Sequence, residues 1–237
     1  MGAELQPHRS RYWLNANPED PEAFAQQVAT VCAAYEQAGR LAERGIHLVS
    51  TDEKTGIQAL ERLAPDLPMG PGRVQRREHE YQRHGTLCLT ANLEIWCGWV
   101  IAPTLGPTRT GADFVGPIEQ TVATDPLAGW VFVVDNLNTH QSEGLVRYVA
   151  QACGLPEDLG KKETRGILKS QASRAAFLAD RCHRIRFVYT PKHTSWLNQR
   201  LVGKSLRSSD SSGSDASRAN VLAELQSEDT FPDSLLV

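Results

Sequence analysis

The chain has 237 residues, of which 41% are hydrophobic and 22% charged, with a formal net charge of −3. That suits one domain of moderate size, or one domain with appended tails, able to bury a sizeable core. A balance this mild neither requires nor excludes a polyanionic partner, because local patches outweigh the sum.

The N-terminal stretch lacks the apolar core of a secretory leader, and no run of about 18 apolar residues occurs, so no membrane contact is expected. The cysteines (Cys32, Cys88, Cys97, Cys153 and Cys182) form no CxxC pair. Their odd count and scatter suggest reduced thiols in a cytoplasmic protein and argue against a structural zinc site.

Residues 1–20 are polar and read as a linker or the end of something preceding. From Pro21 to about Glu43, Phe24, Val28, Val31 and Tyr35 recur at spacings of three and four, one apolar helical stripe that Gly39 or Gly45 would stop. "GIHLVSTD" predicts a short strand running into Asp52. Residues 84–103 predict a β-hairpin with its turn near 91–94. Phe114, Ile118 and Val122 mark one face of a helix over 111–124. The apolar run 130–134 suits a strand buried on both faces, ending at Asp135. A helix from about Gln141 to Cys153, a loop over 155–168, a helix over 169–180 and a strand "RIRFVY" closed by Pro191 complete the pattern. Strands alternating with helices, with one early hairpin, predict an α/β domain on a mixed sheet.

Asp52 and Asp135 each stand at an expected strand end, where open α/β sheets gather ligands. If the two strands are neighbours, the carboxylates share one rim and repel, a penalty that a divalent cation removes. Oxygen-only ligands suit Mg²⁺ or Mn²⁺, and a carboxylate-held metal site is suited to in-line attack at a phosphodiester. An aspartate after a strand also serves as a turn former or helix N-cap. "DNLNTH" crowds Asn136, Asn138, Thr139 and His140 behind Asp135. There Asn138 can form an Asx-turn, Thr139 can cap the next helix, and His140 can stand exposed at the helix start. Glu53 and Lys54 flank Asp52, and Lys54 is either a phosphate contact or a solvated side chain.

"STDEKTGIQALER", "RHGT", "GPTRT", "FVVDNLNTHQS" and "FVYTPKHTSWLNQ" resemble the catalytic domain of insertion-sequence transposases of the Tc/mariner superfamily, the DDE/DDD enzymes. The resemblance covers about residues 40–199. It implies a ribonuclease-H-like fold, a mixed five-stranded sheet flanked by helices. It also implies metal-dependent (Mg²⁺ or Mn²⁺) cleavage and transfer of DNA strands, with transposon ends as partner and a homodimer as an assembly it admits. By this likeness Asp52 is the first catalytic, metal-binding carboxylate and Asp135 the second, with Glu53, Asn136, Asn138 and His140 around them. Lys54, Arg109, Lys192 and His193 become candidate DNA contacts. Trp196 is a base-stacking residue or a helix anchor. The basic stretch 72–85 is a backbone-tracking segment or a solvated loop, and 161–170 is a weaker candidate.

Two departures are visible. The family pattern places an acid two positions after Gln199, and Leu201 stands there. From Ser205 to Ser217 seven of thirteen residues are serine. A reading-frame shift after Gln199 would produce this, leaving 21–199 as an incomplete catalytic core and 200–237 as a disordered non-family tail. A diverged but functional C-terminus is the alternative. At the other end, only "LQPHRSRYWLN" resembles the close of the family's helix-turn-helix region. The expected function is a transposase catalytic domain inactivated by loss of its third carboxylate. The alternative is a non-catalytic DNA-binding or dimerising remnant that modulates intact transposase, and an ordinary phosphohydrolase is a third class.

Overall fold

Asp20 opens the first helix by accepting the amide protons of Glu22 and Ala23, each at 3.0 Å, ahead of a proline suited to the first turn. The computed structural model describes residues 18–155, 158–192, 194 and 197. The expectations for residues 1–17 and for the 200–237 tail, and those on His193 and Trp196, lie outside them.

The stripe of Phe24, Val28, Val31 and Tyr35 does face inward, with Val31 fully buried. The segment is two helices, however: α1 (Pro21–Glu36) and α2 (Ala38–Ala42), broken at Gln37, whose φ of −86° and ψ of 0° leave the helical region. Gly45, at a φ of +68°, ends the unit.

Five strands follow: β1 (Ile46–Arg62), β2 (Tyr81–Glu94), β3 (Val100–Gly106), β4 (Gly129–Val134) and β5 (Ile185–Tyr189). They form one sheet in the order β3-β2-β1-β4-β5. β1, β4 and β5 run parallel, and β2 and β3 are antiparallel to their neighbours. Helices cover both faces, so this is the mixed, helix-flanked, ribonuclease-H-like sheet. The hairpin turn falls at 95–99 rather than 91–94, because Asn92 and Leu93 still pair with both β1 and β3.

The largest departure concerns β1, which was expected to end at Asp52 but runs 17 residues. Residues 53–62 carry charge and glycine with no alternating apolar face, so they read as loop. They are strand because β2 pairs with them beyond the point where β4 stops. The ladder shifts register between Lys54 and Ile57, where Gly56 takes a φ of +73°, the signature of a bulge at a position only glycine enters freely.

Strand alternation divides the core in two. Val49, Trp130, Phe132, Val134, Ile185 and Phe187 face α3 (Gly111–Ala123) and α4 (Glu143–Ala152), with Leu178 of α5 (Gln171–Leu178) closing that layer. Leu48, Val131 and Val133 face α1 and α2, with Leu197 against them. β4 is therefore buried on both sides, as its apolar run requires. The second face is less completely filled. A cavity of about 560 Å³ lies there between α1 and β5, with no acidic side chain in its lining.

Candidate active site

The parallel register positions the two aspartates. The last β1–β4 pair is Ser50 with Val133, and two residues further along each strand stand Asp52 and Asp135. β5 reaches the same rim: Val134 pairs with Tyr189, and the Thr190 amide donates to the Val134 carbonyl at 2.9 Å. Asp135 thus follows the end of its strand, whereas Asp52 lies within one. The rim exists at Asp52 because the parallel neighbour stops there while β1 continues.

Each carboxylate is anchored through one oxygen. Asp52 Oδ1 accepts the Glu53 amide at 2.9 Å, and Asp135 Oδ1 accepts the Leu137 amide at 3.3 Å in an Asx-type turn. The second oxygen of each makes no hydrogen bond among the described residues. Burial pushes the Asp52 carboxyl above its usual range, and the negative charges of Asp135 and Glu53 add to that. The Glu53 amide and His140 oppose it.

Behind Asp135 the chain makes a 3₁₀ turn, Asn138–Gln141, which folds His140 back beneath it. His140 is only 2% exposed and stacks on Phe114 with ring centroids 3.9 Å apart. Its Nδ1 lies 2.6 Å from Asp135 Oδ1 and its Nε2 3.5 Å from Glu53 Oε1. Burial disfavours the charged ring, but bonds to Asp135 and Glu53 and their negative charges outweigh it, raising His140 to about 9. Imidazolium is therefore the form held at neutral pH. The exposed helix-start reading of His140 is corrected: it is a buried cation between two carboxylates.

The Glu53 side chain is 5% exposed, with Arg109 Nε 3.5 Å from its Oε2. That contact is an ion pair without hydrogen-bond geometry, so Oε2 stays buried with no hydrogen-bond partner among the described residues. The result is a chain of alternating charge, Asp135–His140–Glu53–Arg109, that ties β4, β1 and the segment before α3 together.

The other expected residues divide. Asn136 accepts a hydrogen bond from Gln141 Nε2 and so braces the 3₁₀ turn. Asn138 is exposed. Thr139 does not cap the next helix; Ser142 does, accepting the Leu145 amide at 3.3 Å, because the 3₁₀ turn delays the helix start to Glu143. Lys54 is exposed on β1, two residues past Asp52, and Lys192 is exposed two residues past Thr190. Two contributors were not read from the sequence as site residues. Phe114 is the platform under His140, and the Tyr189 hydroxyl donates to the His140 carbonyl at 3.0 Å. Phe114 was legible only as part of an apolar helix face, and Tyr189 only as a strand residue.

Among the described residues no group of three or more His, Cys, Asp or Glu side chains is arranged to hold a metal ion. The rim offers two carboxylates, and Mg²⁺ is commonly held by one or two such groups with water and phosphate completing its shell. None of the described helices is long and apolar enough to cross a membrane.

Comparison with known proteins adds the family. A model described as DDE superfamily endonuclease matches residues 47–200. No curated protein matches. Among solved structures, the Mos1 mariner paired-end complex with Mn is 16% identical, with a TM-score of 0.36 over 62% of this chain and 44% of that one. The Mos1 transposase paired-end complex with left transposon end is 13% identical, with a TM-score of 0.38 over 87% and 60%. The simian T-cell lymphotropic virus intasome in complex with PP2A regulatory subunit B56 gamma is 11% identical, with a TM-score of 0.37 over 80% and 51%. The chain thus spans about half the length of the solved chains it matches. With the family model covering residues 47–200, from the start of β1 past Asp135 and β5, this chain belongs to the DDE superfamily endonucleases.

Proposed function

We propose that this chain is the catalytic domain of a Tc/mariner-type transposase, built for metal-dependent cleavage and transfer of DNA strands. The observation that carries the reading is the register alignment of Asp52 and Asp135 at one rim of the parallel strands, within the segment that matches the family. The donor set fits a hard divalent cation, Mg²⁺ or Mn²⁺. It consists of oxygens alone, one oxygen of each carboxylate is unengaged, and like charge already works against the ionised form of Asp52. A cation held by Asp52 and Asp135 would supply Lewis-acid stabilisation at a phosphodiester.

The protein's own groups prepare that site. His140 fixes the orientation of Asp135 and offsets part of its charge. Glu53 in turn holds the imidazolium from the far side. Lys54 and Lys192 are exposed flanking cations suited to phosphate, and His193 follows Lys192 in sequence. Phosphate contacts of this kind position DNA without reading its sequence.

A second reading is favoured by Leu201, which stands where the resemblance places the third carboxylate. On that reading the core, 21–199, retains a weak metal site and DNA affinity without turnover, and 200–237 is a non-family tail. A Mn²⁺ titration, followed by electron paramagnetic resonance, tests the common ground. Binding should be lost in Asp52→Asn and in Asp135→Asn, and wild-type protein that binds no Mn²⁺ would sink the site. A strand-cleavage assay on nicked and intact duplex separates the two readings. Negligible cleavage with either metal is the outcome expected on the second reading, and cleavage that vanishes in Asp135→Ala is the outcome expected of an active enzyme.

A further inference from the structure

β5 is the outer strand of the sheet, and its two faces are covered unequally. Ile185 and Phe187 are buried in the layer that holds α4 and Leu178 of α5. By strand alternation Arg186 and Val188 face the other layer, where both stay only half-buried. α1 and α2 cover Val131 and Val133 of β4 there, and the cavity of about 560 Å³ is the gap they leave over β5. Ala29 and Ala33 of α1, Leu41 of α2, and Arg181, Arg186 and Val188 line it.

Arg181 and Arg186 are the only charged side chains among the described residues of that lining. Neither forms a carboxylate ion pair among the described residues, and Asp180, next to Arg181, accepts the Cys182 amide at 2.9 Å instead. Burial and the positive charges of Arg181 and Arg44 hold the Arg186 guanidinium below its ordinary range. A half-buried cation facing like charge is costly, and a carboxylate brought beside it removes that cost.

The chain itself arrives at this gap. Leu197, the last described residue, packs with Val131 and Val133, and its carbonyl accepts the Tyr35 hydroxyl of α1 at 3.3 Å. Val131 lines the cavity too, so residues 198–237 start beside it. Of the sequence outside the described fold, 1–17 and 198–218 are net positive, whereas 219–237 holds Glu224, Glu228, Asp229 and Asp233 with no Lys or Arg. Val221, Leu222 and Leu225 recur there at helical spacing, with Glu224 and Glu228 one turn apart beside them. A serine-rich link of about 20 residues reaches roughly 25 Å root-mean-square. A segment so tethered is present at roughly millimolar effective concentration.

We propose that residues 219–237 fold back to cover the second face of β5, with Val221, Leu222 and Leu225 in the cavity and Glu224 and Glu228 paired with Arg186 and Arg181. The inference concerns how the chain closes its own second core layer, and it holds for an active or an inactive enzyme alike.

Hydrogen–deuterium exchange of the full chain, read by mass spectrometry at low salt, tests it. Wild-type amides in 219–229 should be protected relative to an unstructured chain. Glu224→Lys with Glu228→Lys should cut that protection by about tenfold, and so should Arg181→Glu with Arg186→Glu. Joining all four changes should restore it, since the charges are exchanged rather than lost. Protection in β4 should stay constant throughout. Where the arginine pair disturbs β4, Arg186→Gln takes its place and should lower protection in 219–229 alone; no change there overturns the proposal. Unprotected 219–229 in the wild type also overturns it, as does protection that ignores both reversals or fails to return in the fourfold variant. Protection that falls on dilution, together with a dimer in sedimentation, overturns it in favour of a segment donated by a second copy.

Discussion

Replacing His140 by asparagine tests the centre of the charge chain, because asparagine keeps a donor near the Nδ1 position and removes the charge. His140 rises from 6.5 to about 9 on folding. At 1.36 kcal/mol per unit, that corresponds to about 3 kcal/mol of stability from the imidazolium. The folded pKa lies above the unfolded one, so the contribution is complete below about pH 6.5. It is lost as pH rises through about 9. Metal-free wild-type protein should therefore lose about 3 kcal/mol between those limits beyond whatever the variant loses. In a chain of this size that amounts to roughly 6–12 °C in melting temperature. Urea denaturation of both proteins in chelator, at several pH values across the window, measures the difference directly. Groups common to both, such as the raised thiols of Cys88 and Cys97, cancel in the subtraction. Parallel stability profiles would refute the claim that His140 is held as a cation between Asp135 and Glu53.

Three further outcomes are expected. Asp52→Asn should abolish Mn²⁺ binding yet leave the metal-free protein at neutral pH as stable as wild type or about 1 kcal/mol more so, because a buried, mutually repelled carboxylate is removed; chelator-treated melting curves check this. Gly160→Ala should cost more than about 2 kcal/mol in thermal melting, since its φ is +88° and an added Cβ would meet the Arg165 carbonyl oxygen at 2.1 Å. Ser142→Ala should cost about 1 kcal/mol by removing the N-cap of α4, whereas Thr139→Ala should not, a contrast that chemical denaturation resolves.

The buried half of the fold was legible because burial writes itself into sequence. The run 130–134 had to be a strand covered on both faces, and Phe114, Ile118 and Val122 had to share a helix face. Both aspartates could be found because each follows apolar strand residues. What escaped was structure held by partners rather than by pattern. Residues 53–62 carry no strand periodicity, since most of their side chains stay at least partly exposed, and only the pairing with β2 makes them extended. Thr139 and Ser142 are both suitable caps by composition, and the 3₁₀ turn that selects Ser142 is braced by the Asn136–Gln141 hydrogen bond. His140 gave no sign of burial in its polar neighbourhood, because Phe114, its platform, lies 26 positions earlier in the chain.

One strand serves as both floor of the carboxylate rim and stem of the β1–β2 ribbon beyond it, and the bulge at Gly56 sits between these two uses. A stiff, uninterrupted ladder would act as a lever, carrying every sway of the free end back to Asp52. A local irregularity four residues from that carboxylate acts instead as a joint. The outer limb can then shift while the inner limb keeps its alignment with β4.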